Sequence, residues 1–341
     1  MKTVFFDVDD ITRDYLKRKQ ICNGDVILLE ESMENISSQQ YEQIKEAEVI
    51  SVFVHTALRM NNASLDRYPN LKLIATRSTG YDHIDLAYCK NRGIEVVNVP
   101  KYGESTVAEF AFGALLALNR HIIQARTDMK NNFVRMNEYI GFDLYGHTIG
   151  IIGTGAIGRH MAKLAKGFGM DILAYDLYPN EEIRRIFNLQ YVSLDELYEK
   201  ADIISLHAPA TKENYHMLND EAFQKMKKGV IIVNTARGSL IDPEALYRAV
   251  VGKKVGGAAL DVLENEDFII HDDIILKSQD IPKDFAMNTI VNARLMQLKN
   301  VLITPHIAFN SVDAVHRILN TTLKNINAFC QGRVENSVLA K

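Results

Sequence analysis

The sequence predicts an α/β protein made of two doubly wound parallel-sheet domains, and three observations carry that expectation. Short apolar runs of strand length recur along the chain with helix-length polar segments between them, as in parallel strands joined by helical crossovers. The runs fall into two series that part near Pro100, and 341 residues suit two hydrophobic cores better than one. The second series opens on a glycine-rich turn, Gly153-Thr154-Gly155-Ala156-Ile157-Gly158.

Strands are expected in the first series at 3–8, 25–29, 49–54, 73–77 and 95–99, with a helix at 38–48 as one of the intervals. A single long apolar helix over 105–128 is expected to cross to the second series. There, six buried-type strands are expected at 148–152, 171–175, 202–206, 230–234, 256–261 and 301–304, the number a dinucleotide-binding sheet needs. The tail 311–329 has helical periodicity at Val312, Val315, Ile318, Leu319, Leu323 and Ile326, and is expected to return to the first domain.

Composition narrows the function classes. Hydrophobic residues at 47% and charged residues at 24% are those of a folded soluble domain. A formal charge of -4 without a block of like charge gives no footprint for nucleic acid or an anionic membrane. Cys22, Cys89 and Cys330 are odd in number and far apart, so neither a disulfide framework nor a zinc cluster is expected, which points to a reducing compartment, the cytoplasm. Asp7 interrupts the first apolar run, and Glu109, Asn119 and Arg120 bound the run 110–118, so no signal peptide or spanning helix is expected. The histidines do not cluster with acids or cysteines at metal-ligand spacing, and no metal is expected.

In the glycine motif, context outweighs the letters. It follows the apolar run Ile149-Gly150-Ile151-Ile152, precedes a helical stretch over 157–168, and is followed by a strand ending near Asp176, 18 residues after Gly158. Gly153 permits a tight turn, Gly155 lets a pyrophosphate approach the backbone, and Gly158 lets the helix pack close to the strand. Asp176 is placed to accept hydrogen bonds from the adenosine ribose and to repel a 2'-phosphate, so NAD is preferred over NADP.

A base for hydroxyl chemistry is sought among ten histidines. His306 follows the run Val301-Leu302-Ile303-Thr304 through Pro305, at the sheet edge where doubly wound folds bind ligands; position alone leaves it open between proton transfer and packing. Arg237, after the run at 230–234, lies at the same edge and suits a substrate carboxylate, or else a surface ion pair. An acid to hold the imidazole stands among Glu264, Glu266 and Asp267, and spacing does not choose.

The motifs Arg77-Ser78-Thr79-Gly80-Tyr81-Asp82-His83-Ile84-Asp85, Tyr102-Gly103-Glu104-Ser105-Thr106-Val107-Ala108-Glu109, Gly153 to Gly158, Leu206-His207-Ala208-Pro209, Asn234 to Gly238, Leu260-Asp261-Val262 and Thr304-Pro305-His306 occur in one order. In these the chain resembles the D-isomer-specific 2-hydroxyacid dehydrogenase family, and within it the D-lactate dehydrogenase branch. The resemblance implies a Rossmann NAD-binding domain at 101–307 inserted into a flavodoxin-like substrate domain at 1–100 and 308–341, in a homodimer. It implies reversible reduction of a 2-oxoacid by NADH to the D-2-hydroxyacid, with Arg237, Glu266 and His306 catalytic, since the family's glutamate stands five positions after the aspartate of its Asp-Val motif.

By the same carry-over, Val107, Thr154, Ala156, Ile157, His207, Ala208, Pro209, Thr235, Ala236 and Arg237 line the NAD site with the glycines and Asp176, and Asp261 contacts the nicotinamide carboxamide. The amides of Thr79 and Gly80 would hold the substrate carboxylate, beside Arg237 and His306, with Tyr102 lining the pocket. His55, Tyr102 and Phe309 are candidates to limit the substrate side chain. Asp267 follows Glu266 where many phosphoglycerate- and glycerate-type relatives have proline, and the long segment 268–300 is similar in length to that of the lactate branch, which favours a small 2-oxoacid such as pyruvate over a phosphorylated substrate. A larger branched or aromatic 2-oxoacid is the alternative, and an NADH-sensing, corepressor-like binding protein is the alternative of another class.

Overall fold

Runs rich in Val, Ile, Leu and Phe form β1 (Thr3–Phe5), β2 (Val26–Leu28), β3 (Val49–Val52), β4 (Leu73–Thr76) and β5 (Glu95–Val97). They pair in parallel in the order β2-β1-β3-β4-β5, the flavodoxin-type winding. Because helices cover both faces of such a sheet, its strands do not alternate, and β3 and β4 are buried at every residue. In the computed structural model, residues 1–22, 24–53, 60–266 and 283–339 are described. His55, Asp267 and the part of the long segment up to 282 lie outside them.

The second sheet contains β6 (Thr148–Ile152), β7 (Asp171–Tyr175), β8 (Gln190–Tyr191), β9 (Ile203–Leu206), β10 (Val230–Asn234), β11 (Val255–Leu260) and β12 (Val301–Ile303). All pairings are parallel, in the order β12-β11-β10-β9-β6-β7-β8. Among the described residues the sheet has seven strands where six were expected. The addition, β8, is a two-residue edge strand on β7, too short to carry a hydrophobic pattern. The run before His306 is therefore β12, at the edge of this sheet beside β11.

The described helices are α1 (Asp10–Lys17), α2 (Ser38–Ile44), α3 (Asn62–Leu65), α4 (Leu86–Arg92), α5 (Glu104–Asn119), α6 (Ile122–Lys130), α7 (Ala156–Gly167), α8 (Glu181–Phe187), α9 (Leu194–Lys200), α10 (Asp220–Lys225), α11 (Pro243–Val251), α12 (Lys283–Met296) and α13 (Val312–Cys330). The helix expected over 105–128 is two, α5 and α6, bent by 57°. The reason lies in the backbone at the break. His121 is left-handed (φ +51°), and Asn119 turns its side chain to the Phe142 main chain, donating to its carbonyl at 2.7 Å and accepting from its N–H at 3.3 Å. Among the described residues no single helix is long and apolar enough to cross a membrane.

The chain divides into two compact units, Met1–Tyr102 with Asn310–Lys341 and Gly103–Phe309. The first holds the five-stranded sheet and α13, whose Leu319, Leu323 and Ile326 are buried with Phe5, Val49 and Leu73. Each such side chain contributes about 1.5–3 kcal/mol of burial. A disulfide joins Cys22 to Cys330 across a sequence separation of 308. This corrects the expectation that the cysteines form no disulfide, because α13 packs beside α1 and brings together two cysteines that spacing could not pair. Cys89 is free and buried.

Candidate active site

Three adjacent parallel strands, β10, β11 and β12, end on the same edge of the second sheet, and the turns that follow them carry Arg237, Glu266 and His306. The first turn is folded by Asn234, which is fully buried: its Oδ1 accepts from Ala236 N at 3.0 Å and its Nδ2 donates to Arg237 O at 2.9 Å. The Arg237 guanidinium donates from Nη1 to Ala236 O at 2.7 Å. The second turn passes through a left-handed Asn265 (φ +58°) and is closed by Leu263 N donating to Glu266 Oε2 at 3.0 Å.

His306 is itself left-handed (φ +52°), and Asp261 holds it so. The Asp261 carbonyl accepts from His306 N at 2.9 Å, and its carboxylate accepts from Thr304 Oγ1 at 2.5 Å, Ile307 N at 3.0 Å and Ala308 N at 2.8 Å. Asp261 thus braces the histidine turn, a use that a role at the nicotinamide carboxamide did not anticipate. Burial outweighs these bonds and raises the pKa of its carboxyl above the usual value.

His306 Nδ1 stands 2.6 Å from Glu266 Oε1. With Nδ1–H donating to that carboxylate, Nε2 is the ring atom left to exchange a proton. Burial alone would lower the His306 pKa. The hydrogen bond and charge of Glu266, with the charge of Asp261, overcome burial and the opposing Arg237 charge, and the pKa is raised above 6.5. Glu264, the nearby alternative, faces elsewhere: its carboxylate accepts from Tyr215 Oη at 2.9 Å, His216 Nε2 at 2.8 Å and Asn288 Nδ2 at 3.2 Å.

The cofactor side begins at β6. Gly153 has φ +92°, and a Cβ there would lie 2.7 Å from Ala208 N and His207 C, so the turn needs glycine both for its dihedral and for its neighbours. Gly155 is the N-cap of α7, with no side-chain cap and nothing within 4 Å of where a Cβ would point. The first amides of α7, at Ala156 and Ile157, stand at a helix N-terminus without a side-chain cap, where a pyrophosphate is favoured. Asp176, just past β7, accepts from Thr154 N at 2.6 Å and Thr154 Oγ1 at 2.8 Å through one oxygen, and from Tyr178 N at 2.9 Å through the other.

His207 and Thr235, past β9 and β10, each keep a buried polar atom without a partner among the described residues, Nδ1 and Oγ1 respectively. Burial pushes the His207 pKa down to about 4, so it is a neutral imidazole, with Nε2 2.8 Å from Ser205 Oγ. Ala208 and Pro209 follow it, Ala236 follows Thr235, and Val107 is buried in the first turns of α5. These residues fit a dinucleotide.

In the other unit, Thr79 and Gly80 follow β4. Thr79 Oγ1 donates to Val99 O at 2.8 Å, Asn98 Nδ2 donates to Thr79 O at 2.8 Å, and Ser78 Oγ donates to Gly80 O at 2.6 Å. Neither amide N–H has an acceptor among the described residues, so both suit an anion. Tyr102 O accepts from Arg317 Nε at 2.6 Å. Phe309 is buried at the end of the second unit. Residues that the sequence reading passed over are Tyr191, whose hydroxyl is 2.9 Å from Thr154 Oγ1, and His216; neither lies in a spacing that would mark it.

Comparison with known proteins adds an independent line. Residues 112–308 match the model of the D-isomer specific 2-hydroxyacid dehydrogenase, NAD binding domain. The chain belongs to the D-isomer specific 2-hydroxyacid dehydrogenase family. It is 42% identical to the D-lactate dehydrogenase of Escherichia coli (strain K12) over 77% of each chain. It is 41% identical to the aromatic 2-oxoacid reductase of Clostridium sporogenes (strain ATCC 7955) over 80% of each. The D-lactate dehydrogenase of Aquifex aeolicus, solved with NAD and lactic acid, matches with a TM-score of 0.82 at 36% identity over 99% of both chains.

As a D-2-hydroxyacid dehydrogenase the chain is an NAD-dependent oxidoreductase. When bound, NAD supplies or accepts the hydride. The uncapped end of α7, with His207 and Thr235, would hold it.

Proposed function

We propose that this dehydrogenase reduces pyruvate to D-lactate with NADH, reversibly. One observation carries the mechanism: the His306–Glu266 pair at 2.6 Å, with Arg237 on the neighbouring turn. In the reduction His306, kept protonated by Glu266, gives its Nε2 proton to the carbonyl oxygen of the oxoacid. Arg237 pairs with the substrate carboxylate, orients the carbonyl and stabilises the charge that develops on its oxygen. Asp261 keeps His306 aimed. In the oxidative direction His306 Nε2, deprotonated, takes the hydroxyl proton.

Pyruvate as substrate is supported by the Escherichia coli relative and by the Aquifex aeolicus complex with lactic acid. The aromatic 2-oxoacid reductase at 41% identity supports the competing reading, a larger side chain in the same site. The deciding experiment is NADH oxidation against pyruvate, 2-oxobutyrate, 2-oxoisocaproate, phenylpyruvate and glyoxylate, with chiral analysis of the product. Highest kcat/KM on pyruvate, yielding the D-isomer, supports the proposal; a preference for phenylpyruvate moves the assignment to the aromatic class.

A homodimer is proposed too, supported by exposed apolar residues from α6 onward, among them Ile122, Met129, Phe133, Met136 and Ile140. Sedimentation at a single monomer mass across micromolar concentrations would refute it.

A further inference from the structure

We propose that His216 is a positioning residue that holds the Arg237 turn and the Glu266 turn at a fixed spacing. The proposal rests on the assignment of Arg237, Glu266 and His306 to the reaction. His216 reaches toward both turns with different parts of itself. The main chain of His216 and of Leu218 after it is bonded to the segment after Arg237: His216 N donates to Ser239 O at 2.9 Å, Leu218 N to Leu240 O at 3.0 Å, and Asp242 N back to Leu218 O at 3.0 Å. The His216 side chain is bonded to the segment before Glu266, with Nε2 2.8 Å from Glu264 Oε2.

The segment 263–266 is a turn that could not hold itself at one distance from Arg237. Its only internal tie described above is Leu263 N to Glu266 Oε2, which fixes its shape but not its place. Its place comes from Glu264. The Glu264 side chain is only 12% exposed and takes three donors, His216, Tyr215 and Asn288, while its carbonyl takes Asn292 Nδ2 at 2.9 Å. An exposed ion pair contributes little, but a largely covered carboxylate with three donors aimed at it is held in one orientation.

His216 is held as well. Its backbone is left-handed at φ +51°, and its ring stacks on Tyr215 with centroids 3.8 Å apart. A non-glycine residue persists in that conformation where its surroundings over-determine it. The two catalytic turns also touch directly. A Cβ on Gly238 would lie 2.1 Å from Leu263 C and 2.2 Å from Glu264 N, so the backbone beside Arg237 lies on the backbone that leads to Glu266. The His216–Glu264 bond keeps that contact closed from the outer side, and a displacement there carries Glu266, and through it His306, relative to Arg237.

The test is steady-state kinetics of full-length His216→Ala, His216→Gln and Glu264→Gln with NADH and the best 2-oxoacid of the panel. His216→Ala is expected to lower kcat by about 10- to 100-fold, the cost of misaligning catalytic groups by a fraction of an ångström to an ångström. NADH affinity, read by fluorescence titration, is expected to stay near the wild-type value. His216→Gln, whose amide can donate to Glu264, is expected to recover most of the loss. Unchanged kcat in folded His216→Ala overturns the proposal, and so does a Gln variant no better than Ala.

If His216→Ala does not fold, Glu264→Gln decides: a fall in kcat at an unaltered melting temperature supports positioning, and unaltered kcat overturns it. Wild-type protein without turnover on any 2-oxoacid overturns this proposal together with the assignment beneath it. Wild-type turnover with an equally active His216→Ala overturns the positioning role alone.

Discussion

His306 Nδ1 and Glu266 Oε1 lie 2.6 Å apart although 40 residues separate them in the chain. They meet because β11 and β12 are parallel neighbours, so the turns that leave both strands emerge on one edge. The bond raises the His306 pKa above its ordinary 6.5, against the pull of burial.

Oxoacid reduction needs the protonated imidazole, so its rate is expected to hold above pH 6.5 and to fall as pH rises through the raised pKa of His306. Glu266→Gln removes the charge that raises it and is expected to move the falling limb toward lower pH. His306→Ala is expected to lose about 10²- to 10⁴-fold in kcat. The same sign governs stability: a histidine whose folded pKa is raised stabilises the fold below its unfolded pKa, and that contribution is lost as pH rises through the folded value. A pH–rate profile unmoved by Glu266→Gln would remove Glu266 from this role.

Gly238→Ala would place a methyl group against Leu263 C and Glu264 N, both backbone atoms that cannot swing aside. The expected destabilisation is about 1–3 kcal/mol, as for overpacking. Because the displaced segment carries Glu266, kcat is expected to fall with it. Thermal unfolding and kinetics on the same preparation check both, and a variant with wild-type values would show that the two turns are free to part.

Asp176→Ala removes the acceptor of Thr154 N and Oγ1 along with the proposed ribose contact. NADH binding is expected to weaken by about 10- to 100-fold, the worth of a hydrogen bond to a charged group, while NADPH binding is affected less. The ratio of the two cofactors' kcat/KM measures this. An unchanged ratio would leave Asp176 as a brace of the glycine turn only.

The Cys22–Cys330 bond ties the end of α13 to the chain just after α1. Denatured without reductant, the protein should titrate one thiol, that of Cys89, and after reduction all three cysteines. Reduction, or Cys330→Ser, is expected to cost about 2–4 kcal/mol of stability. Three thiols in the unreduced, denatured protein would refute the bond.

The two α/β series and the glycine turn were legible in the sequence because they depend on local pattern, whereas Arg237, Glu266 and His306 were singled out by the family resemblance. Strand-length runs such as Val230–Asn234 carry their own burial, and Gly153 to Gly158 acts through a turn and one helix end. Spacing could not choose among Glu264, Glu266 and Asp267. The resemblance did choose, and the structure gives the physical distinction between the first two, since Glu264 turns to His216 and Glu266 to His306.

The break between α5 and α6 was hidden because apolar periodicity runs on through Arg120 and His121, whereas what ends the helix is the bonding of Asn119 to Phe142, 23 residues away. β8 carries too few residues to make a pattern. Cys22 with Cys330 and His216 with Glu264 belong to the same class of fact. The sequence by itself determined most of the strand runs and the glycine turn, because those follow from neighbours within a few positions. Only the tertiary structure decided which side chains meet, because strand order and helix docking bring together atoms that the chain keeps tens or hundreds of residues apart.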